Sequence, residues 1–209
     1  MTLGSTAIAY VIGLPLGVLL FITEKPRDTN PDSALNKVLK VFHTVLGFFI
    51  NVMRSIPFVI LLVFMIPVTR FIVGTSIGST ATIVPLVAGA APFIARLVES
   101  SLKEVEEGMI EAARSMGAST FQIIWKVLLP EARPSLLIGS AIAVTTIFGY
   151  AAMAGFIGGG GLGDIAIRYG FHRFQTDIMI ITLLLSVVLV QILQMIGMKL
   201  AKSGDKRQQ

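Results

Sequence analysis

Few residues in this chain have types and spacings that could do chemistry, and most of those spacings argue against it. Gly158, Gly160 and Gly163 satisfy Gly-x-Gly-x-x-Gly. A dinucleotide site needs that turn between a strand and a helix start. Here the run follows a long apolar segment, so it reads as a tight re-entrant or external turn, to which Asp164 and Arg168 would contribute. No Gly-x4-Gly-Lys-Ser/Thr run occurs anywhere, so the chain lacks a loop to cradle the phosphates of ATP. His43 and His172 lie in separate segments without ligand-like companions, which reads as two surface histidines, not a metal site. The absence of cysteine excludes disulfides, thiolate metal sites and a cysteine nucleophile together. The expectation is a non-enzyme with no cofactor of its own.

The elements that carry these residues are set by a lipid solvent. Of 209 residues, 54% are hydrophobic and 14% charged, against roughly 25% charged in soluble domains. A bilayer core of about 30 Å needs about 20 mainly apolar residues per helix. Five such runs stand between charges: Thr2 to Thr23, Ser55 to about Thr69, Ile77 to Ala95, Ser135 to about Phe156, and Ile178 to Met198. The second is short, and lengthens backwards through Val45 to Val52. The first lacks the basic start of a signal peptide and is expected to be a retained span, with room for a natural start upstream. Ala34 to Met53 carries Lys37, Lys40 and His43 among apolar residues and reads as an amphipathic interfacial segment. No linker or repeat divides the chain, so residues 1–209 are expected to form one domain.

The basic residues orient it. Fourteen of the 17 Lys and Arg residues follow the first, third or fifth span: Lys25, Arg27, Lys37, Lys40 and Arg54; Arg96, Lys103, Arg114, Lys126 and Arg133; Lys199, Lys202, Lys206 and Arg207. Arg70, Arg168 and Arg173 fall on the other side. The positive-inside rule then puts the amino terminus outside and the carboxyl terminus in the cytoplasm. An excess of 17 basic over 12 acidic residues therefore reads as cytoplasmic loops against membrane lipid, not as a nucleic-acid site. Pro15, Pro57, Pro67, Pro85 and Pro92 fall within spans and read as kinks, satisfied by packing or by a water-lined path.

One polar loop, residues 96–134, is too long for a turn and has helical grammar of its own. Glu104, Glu106 and Glu107 cluster where a helix amino terminus welcomes negative charge. Val105, Met109, Ile110 and Ala113 recur at helical spacing. Gly117 is placed to end that helix. Ser119 and Gln122 then form the Ser-x-x-Gln signature of a capping box, opening a second helix through Phe121, Ile124, Trp125 and Leu128 to Pro130. Small residues Ala112 and Ala113 would let another surface approach, with Glu111 and Arg114 able to fix register.

Glu111-Ala112-Ala113, three residues, Gly117, nine residues, then Val127-Leu128-Leu129-Pro130 resembles the Glu-Ala-Ala loop of prokaryotic ABC importer permeases. Only Val127 departs, standing where that pattern has isoleucine. The resemblance implies that Glu111, Ala112, Ala113, Gly117, Val127, Leu129 and Pro130 couple the chain to a cytoplasmic ATPase. Arg54-Ser55-Ile56-Pro57-Phe58, Met65-Ile66-Pro67, Val73 to Gly78 and the glycine run look most like the methionine-uptake permeases of that family. The fold implied is all-α and membrane-integral, with five transmembrane helices and a cytoplasmic coupling helix-turn-helix. The partners implied are a second copy of the chain, two ATPase subunits that bind the ATP, and an external binding protein or lipoprotein; the location implied is a bacterial inner membrane. Transport would proceed by alternating access.

Two other readings stay open at this stage: a secondary carrier or channel, and a membrane scaffold that transports nothing. The spans as drawn contain no acidic residue, which weakens the carrier. Tyr150 and Met153, near the outer end of the fourth span, read as core packing or as a constriction in a translocation path. Gln191 and Gln194 read as hydrogen-bonding partners between helices.

Overall fold

The computed structural model describes residues 1–24 and 34–204, and no strand occurs among the described residues. In order they form α1 (Thr2–Glu24), α2 (Ala34–Ser55), α3 (Phe58–Phe64), α4 (Ile66–Val73), α5 (Ser79–Lys103), α6 (Glu107–Ser115), α7 (Thr120–Ile123), α8 (Leu129–Glu131), α9 (Arg133–Met153), α10 (Gly161–Ile165) and α11 (Thr176–Gly204). A π-helical turn joins α7 to α8, and a 3-10 turn follows α9. Five stretches are long and apolar enough to cross a membrane: Thr2–Glu24, Ala34–Ser55, Ser79–Lys103, Arg133–Phe171 and Thr176–Ala201. The expected all-α membrane architecture is the observed one. Lys25, Arg27, Lys206 and Arg207 lie outside the described residues.

α5 is the spine, touching α1, α2, α3, α4 and α9. Leu86, Ala90, Ile94, Val98 and Leu102 recur every four residues along one side, and none exceeds 1% exposure. Lipid offers apolar side chains as good a solvent as a neighbouring helix, so helices hold together through close van der Waals fit, which small residues allow. α1 supplies such a stripe in Ser5, Ala9, Gly13 and Gly17, all buried. A Cβ at Gly13 would lie 2.7 Å from Ile94 Cγ2, and one at Gly17 2.5 Å from the Ala95 carbonyl oxygen. The two backbones are therefore in contact.

The second crossing differs from its expected form. α2 is one continuous helix, so Ala34 to Met53 is not a separate interfacial piece. Length and composition would make α2 alone a span, but its packing puts the crossing later. Arg96 of α5 bonds to Gly47 and Asn51, a Cβ on Gly89 would touch Phe58 and Leu61, and α4 also packs on α5. The chain thus climbs along α5 through the second half of α2, then α3, then α4. Its breaks fall at prolines: Pro57 is the N-cap of α3, and Pro67 lies in the first turn of α4, where its missing N–H leaves no bond unmade. These two are helix starts and not kinks, whereas Pro15, Pro85 and Pro92 sit inside helices.

Replacing Gly17 by leucine should overpack the α1–α5 contact, at a cost of about 1–3 kcal/mol. Gly4, where an added Cβ would meet nothing within 4 Å, is the control. Thermal unfolding of the purified protein in detergent should show a lowered Tm for G17L and an unchanged one for G4L; equal values would mean that the α1–α5 approach is looser than described.

Candidate functional site

At one end of the bundle, α6 to α8 form a helix-turn-helix knob. α6 starts after Glu106, with Glu107 in its first turn, and ends at Gly117, whose φ of 80° is cheap only for glycine. The Gly117 N–H donates to the Arg114 carbonyl at 2.9 Å and the Ala118 N–H to the Ala113 carbonyl at 3.1 Å. That bond pair is the Schellman closure of a helix end. The next helix opens with the expected capping box: the Ser119 N–H donates to Gln122 Oε1 at 2.8 Å and the Gln122 N–H to Ser119 Oγ at 3.3 Å. Pro130 lacks the N–H that would bond back four residues and its ring crowds the preceding turn. Immediately before it, Ile124–Leu128 widen into a π turn, with the Leu129 N–H reaching back to the Ile124 carbonyl.

The seven coupling candidates divide by role in the fold. Glu111, Ala112, Gly117 and Pro130 are exposed. Ala113 is buried, and Val127 and Leu129 pack beside Leu128 and Ala132 against the bundle core. The first group faces outward while the second anchors the knob to α9. Sequence reasoning did not single out the knob's outer apolar face: Met116 is 81% exposed, Phe121 69% and Trp125 59%, with the last two rings 6.2 Å apart. The signal was there in three large apolar residues beside a polar turn.

A cluster of charges ties the spine to its neighbours near this end. Arg96 Nη1 lies 2.6 Å from Glu99 Oε2, and Lys103 Nζ lies 2.9 Å from Glu99 Oε1 and 2.8 Å from Glu24 Oε2. The second Arg96 nitrogen donates to the Gly47 carbonyl at 3.2 Å and to Asn51 Oδ1 at 3.0 Å. Ser135 Oγ donates to Ser101 Oγ at 3.0 Å. These contacts join α1, α2, α5 and α9. The helix of the third span runs on past Ala95 to Lys103, and the Glu99 side chain on this extension is only 4% exposed. His43 is half-buried and not a surface histidine. Its Nδ1–H donates to the Leu20 carbonyl at 3.1 Å, fixing α2 to α1.

Further along α5, a cavity of about 200 Å³ opens between Met53, Arg54, Ile56, Phe58, Leu61, Gly89, Phe93 and Tyr150. Phe58 and Tyr150 stack on each other in its wall, with centroids 4.4 Å apart and planes 7° from parallel. Tyr150 therefore faces the cavity, whereas Met153 is 41% exposed and lies outside its lining. Arg54 shares this lining with Gly89 and Phe93, near the midpoint of the 25-residue α5. It therefore lies level with the middle of α5 and not with Lys103 at its end. No ion pair or side-chain hydrogen bond engages it among the described residues. It lies in the last turn of α2 and is exposed.

Beyond α9 the chain doubles back. A Cβ on Gly155 would overlap the Gly163 backbone, and one on Gly163 the Ala152 carbonyl, so α10 lies directly on the end of α9. Gly158, Gly160 and Gly161 all have positive φ, and the Gly78 N–H donates to the Gly158 carbonyl at 3.0 Å. The glycine run is thus a backbone-packed hairpin preceded by a helix, with Asp164 and Arg168 paired at 3.0 Å. Gln191 and Gln194 differ from expectation: both are exposed on α11 and neither bonds to another helix among the described residues.

The chain is thus a bundle of membrane-length helices with a two-helix knob at one end and a lined cavity midway. The family model for the binding-protein-dependent transport system inner membrane component matches residues 33–201. The probable D-methionine transport system permease protein MetI of Vibrio cholerae is 52% identical over 201 residues, 96% of this chain and 86% of that protein. The D-methionine transport system permease protein MetI of Escherichia coli K12 is 53% identical over 155 residues, 74% and 68% of the two chains. Among solved structures, an inward-facing form of the MetNI methionine ABC transporter superposes with a TM-score of 0.90 at 47% identity, covering 99% of this chain and 92% of that one. An amino acid ABC transporter solved with histidines shares the fold, with a TM-score of 0.70 at 21% identity over 97% of this chain and 90% of that one. The chain belongs to the binding-protein-dependent transport system inner membrane component family and is a permease subunit of an ABC transporter.

Glu99→Ala would leave Arg96 and Lys103 without their shared anion. Removing one partner of a fully buried pair costs about 3–5 kcal/mol, and the 44% exposure of Lys103 brings the expected loss to about 2 kcal/mol. Thermal unfolding should show it, with Glu99→Gln intermediate because the amide still accepts one hydrogen bond. An unchanged Tm for E99A would mean the cluster is decorative.

Proposed function

We propose that the chain is the translocation subunit of an ATP-driven methionine importer, paired with a second copy and driven by two ATPase subunits docked on the α6–α8 knobs. The carrying observation is the knob itself. Its Glu111-Ala112 surface and its exposed Met116, Phe121 and Trp125 form an apolar patch with a charged rim, the composition of a protein interface. The identity to permeases named for D-methionine transport supports the substrate.

Orientation follows from charge. With Arg54 level with the middle of α5, Lys37, Lys40, Arg96, Lys103, Arg114, Lys126, Arg133 and Lys199 remain as the basic residues of the segments toward the knob, which supports a cytoplasmic knob, an external amino terminus and a cytoplasmic carboxyl terminus. An external binding protein would then deliver substrate at the end bearing the glycine hairpin. Closure of the ATPases on ATP would draw the two knobs together. Each knob is seated on its bundle through Ile123, Leu128 and Ala132, so its displacement would pass into α9 and α5 and change which end of the path is open. The ATP belongs to the partner, and lipid is the remaining contact.

Two experiments test this. In mild detergent, the tagged native chain should recover a P-loop ATPase. Gly117→Asp should recover much less, because a side chain at that left-handed position costs about 1–2 kcal/mol and reshapes the turn. Trp125→Ala should weaken recovery by removing an aromatic anchor, an effect of about 2 kcal/mol where such a residue is a hot spot. Normal recovery with both variants would remove the knob as the docking site. In proteoliposomes holding the complete complex, ATP-dependent accumulation of methionine is expected; accumulation of a different solute instead would overturn the substrate assignment.

A further inference from the structure

Resting on that importer reading, we infer that Arg54 and the cavity beside it form a transit site for an amino-acid zwitterion, with the guanidinium holding the carboxylate and the aromatic wall taking the side chain. Arg54 is exposed and lines the cavity, and no ion pair or side-chain hydrogen bond engages it among the described residues. The contrast is Arg96, two turns from the cavity's Gly89 on α5, whose two terminal nitrogens are both engaged. Arg54 has no such contact among the described residues and borders the space where a solute would pass.

The space suits one amino acid. Its volume of about 200 Å³ exceeds the roughly 150 Å³ of an apolar cavity that takes benzene. Phe58, Phe93, Tyr150 and Met53 supply an aromatic and thioether wall, and a thioether side chain packs favourably against aromatic rings. Arginine presents a planar fork that matches a carboxylate with two parallel bonds. No acidic residue lines the cavity, so the carboxylate is the end of the solute that the protein selects. The Phe58–Tyr150 stack closes one side of the cavity, and its opening would admit the side chain.

The test measures binding of L-methionine and of 3-(methylthio)propylamine, the same side chain without a carboxylate, to the purified permease–ATPase complex in detergent, by saturation-transfer NMR without binding protein. Arg54→Gln should weaken L-methionine by about tenfold, the loss of one charge-assisted contact, and leave the amine unaltered. Arg54→Lys, which keeps the charge without the fork, should fall between. Equal losses for both ligands would assign Arg54 a structural role and overturn the inference, as would no change in either or no binding to the native complex. Uptake by the same native preparation separates the two readings. If methionine accumulates while the binding pattern fails, only the transit site falls; if none accumulates, the importer assignment falls and the transit site with it.

Discussion

The backbone contact between α1 and α5 is the constraint on which the rest of the molecule depends. In lipid no hydrophobic force gathers helices, so the bundle needs surfaces that fit at close range. Gly13 and Gly17 on one side, with Ala91, Ala95 and Val98 on the other, provide one that any larger side chain would prop open. Once α1 is fixed, Glu24 reaches Lys103, and through it Glu99 and Arg96. The charge cluster then fixes α2 through Gly47 and Asn51. Close packing and ion pairing are thus successive steps, because the four charges Glu24, Lys103, Glu99 and Arg96 meet only where the helices that carry them are already held.

This order explains how a knob at one end can act on a cavity midway. α6 to α8 are not tethered by a flexible loop. Ala113, Ile123, Leu128 and Ala132 belong to the same buried cluster as Phe58, Leu86 and Ile147, and α8 passes into α9 across the single residue Ala132. Densely packed interiors transmit displacement instead of absorbing it. Continuous packing thus runs from the knob along α9 to Tyr150, whose ring stacks on Phe58.

Local chemistry made the knob legible from sequence. Gly117 and the Ser119–Gln122 box are signals that span a few residues, and the structure forms each where the sequence places it. The number of membrane helices was legible for the same reason, being a matter of runs between charges. The second crossing was not. Its hydropathy is blurred by Lys37 and Lys40 at one end and by proline breaks at the other, and only contacts along α5 reveal its course. Glu99 was missed because its ion partners Arg96 and Lys103 made the helix look finished, although their spacing of three and four residues puts opposite charges on one face. The stripe Ser5, Ala9, Gly13, Gly17 was readable as a packing face and was passed over. Gln191 and Gln194 show the opposite limit, since a polar pair on an apolar helix does not say what it faces.

Several breaks in the helical backbone lie beside the cavity. α2 ends at Ser55, Pro57 starts α3, Met65 divides α3 from α4, and the 3-10 turn at Ala154–Ile157 packs on α3. In hydrocarbon a carbonyl released from a helix costs several kcal/mol, so such breaks are tolerated only where protein or a water-filled space satisfies them. The break between α2 and α3 brings Arg54, Ile56 and Phe58 to one cavity wall, where water admitted by the cavity can reach the freed carbonyls. A straight helix from Ala34 to Val73 would have carried Arg54 and Phe58 as neighbours one turn apart on a single ridge. Breaking it at Pro57 lets the charge and the aromatic ring border the same space.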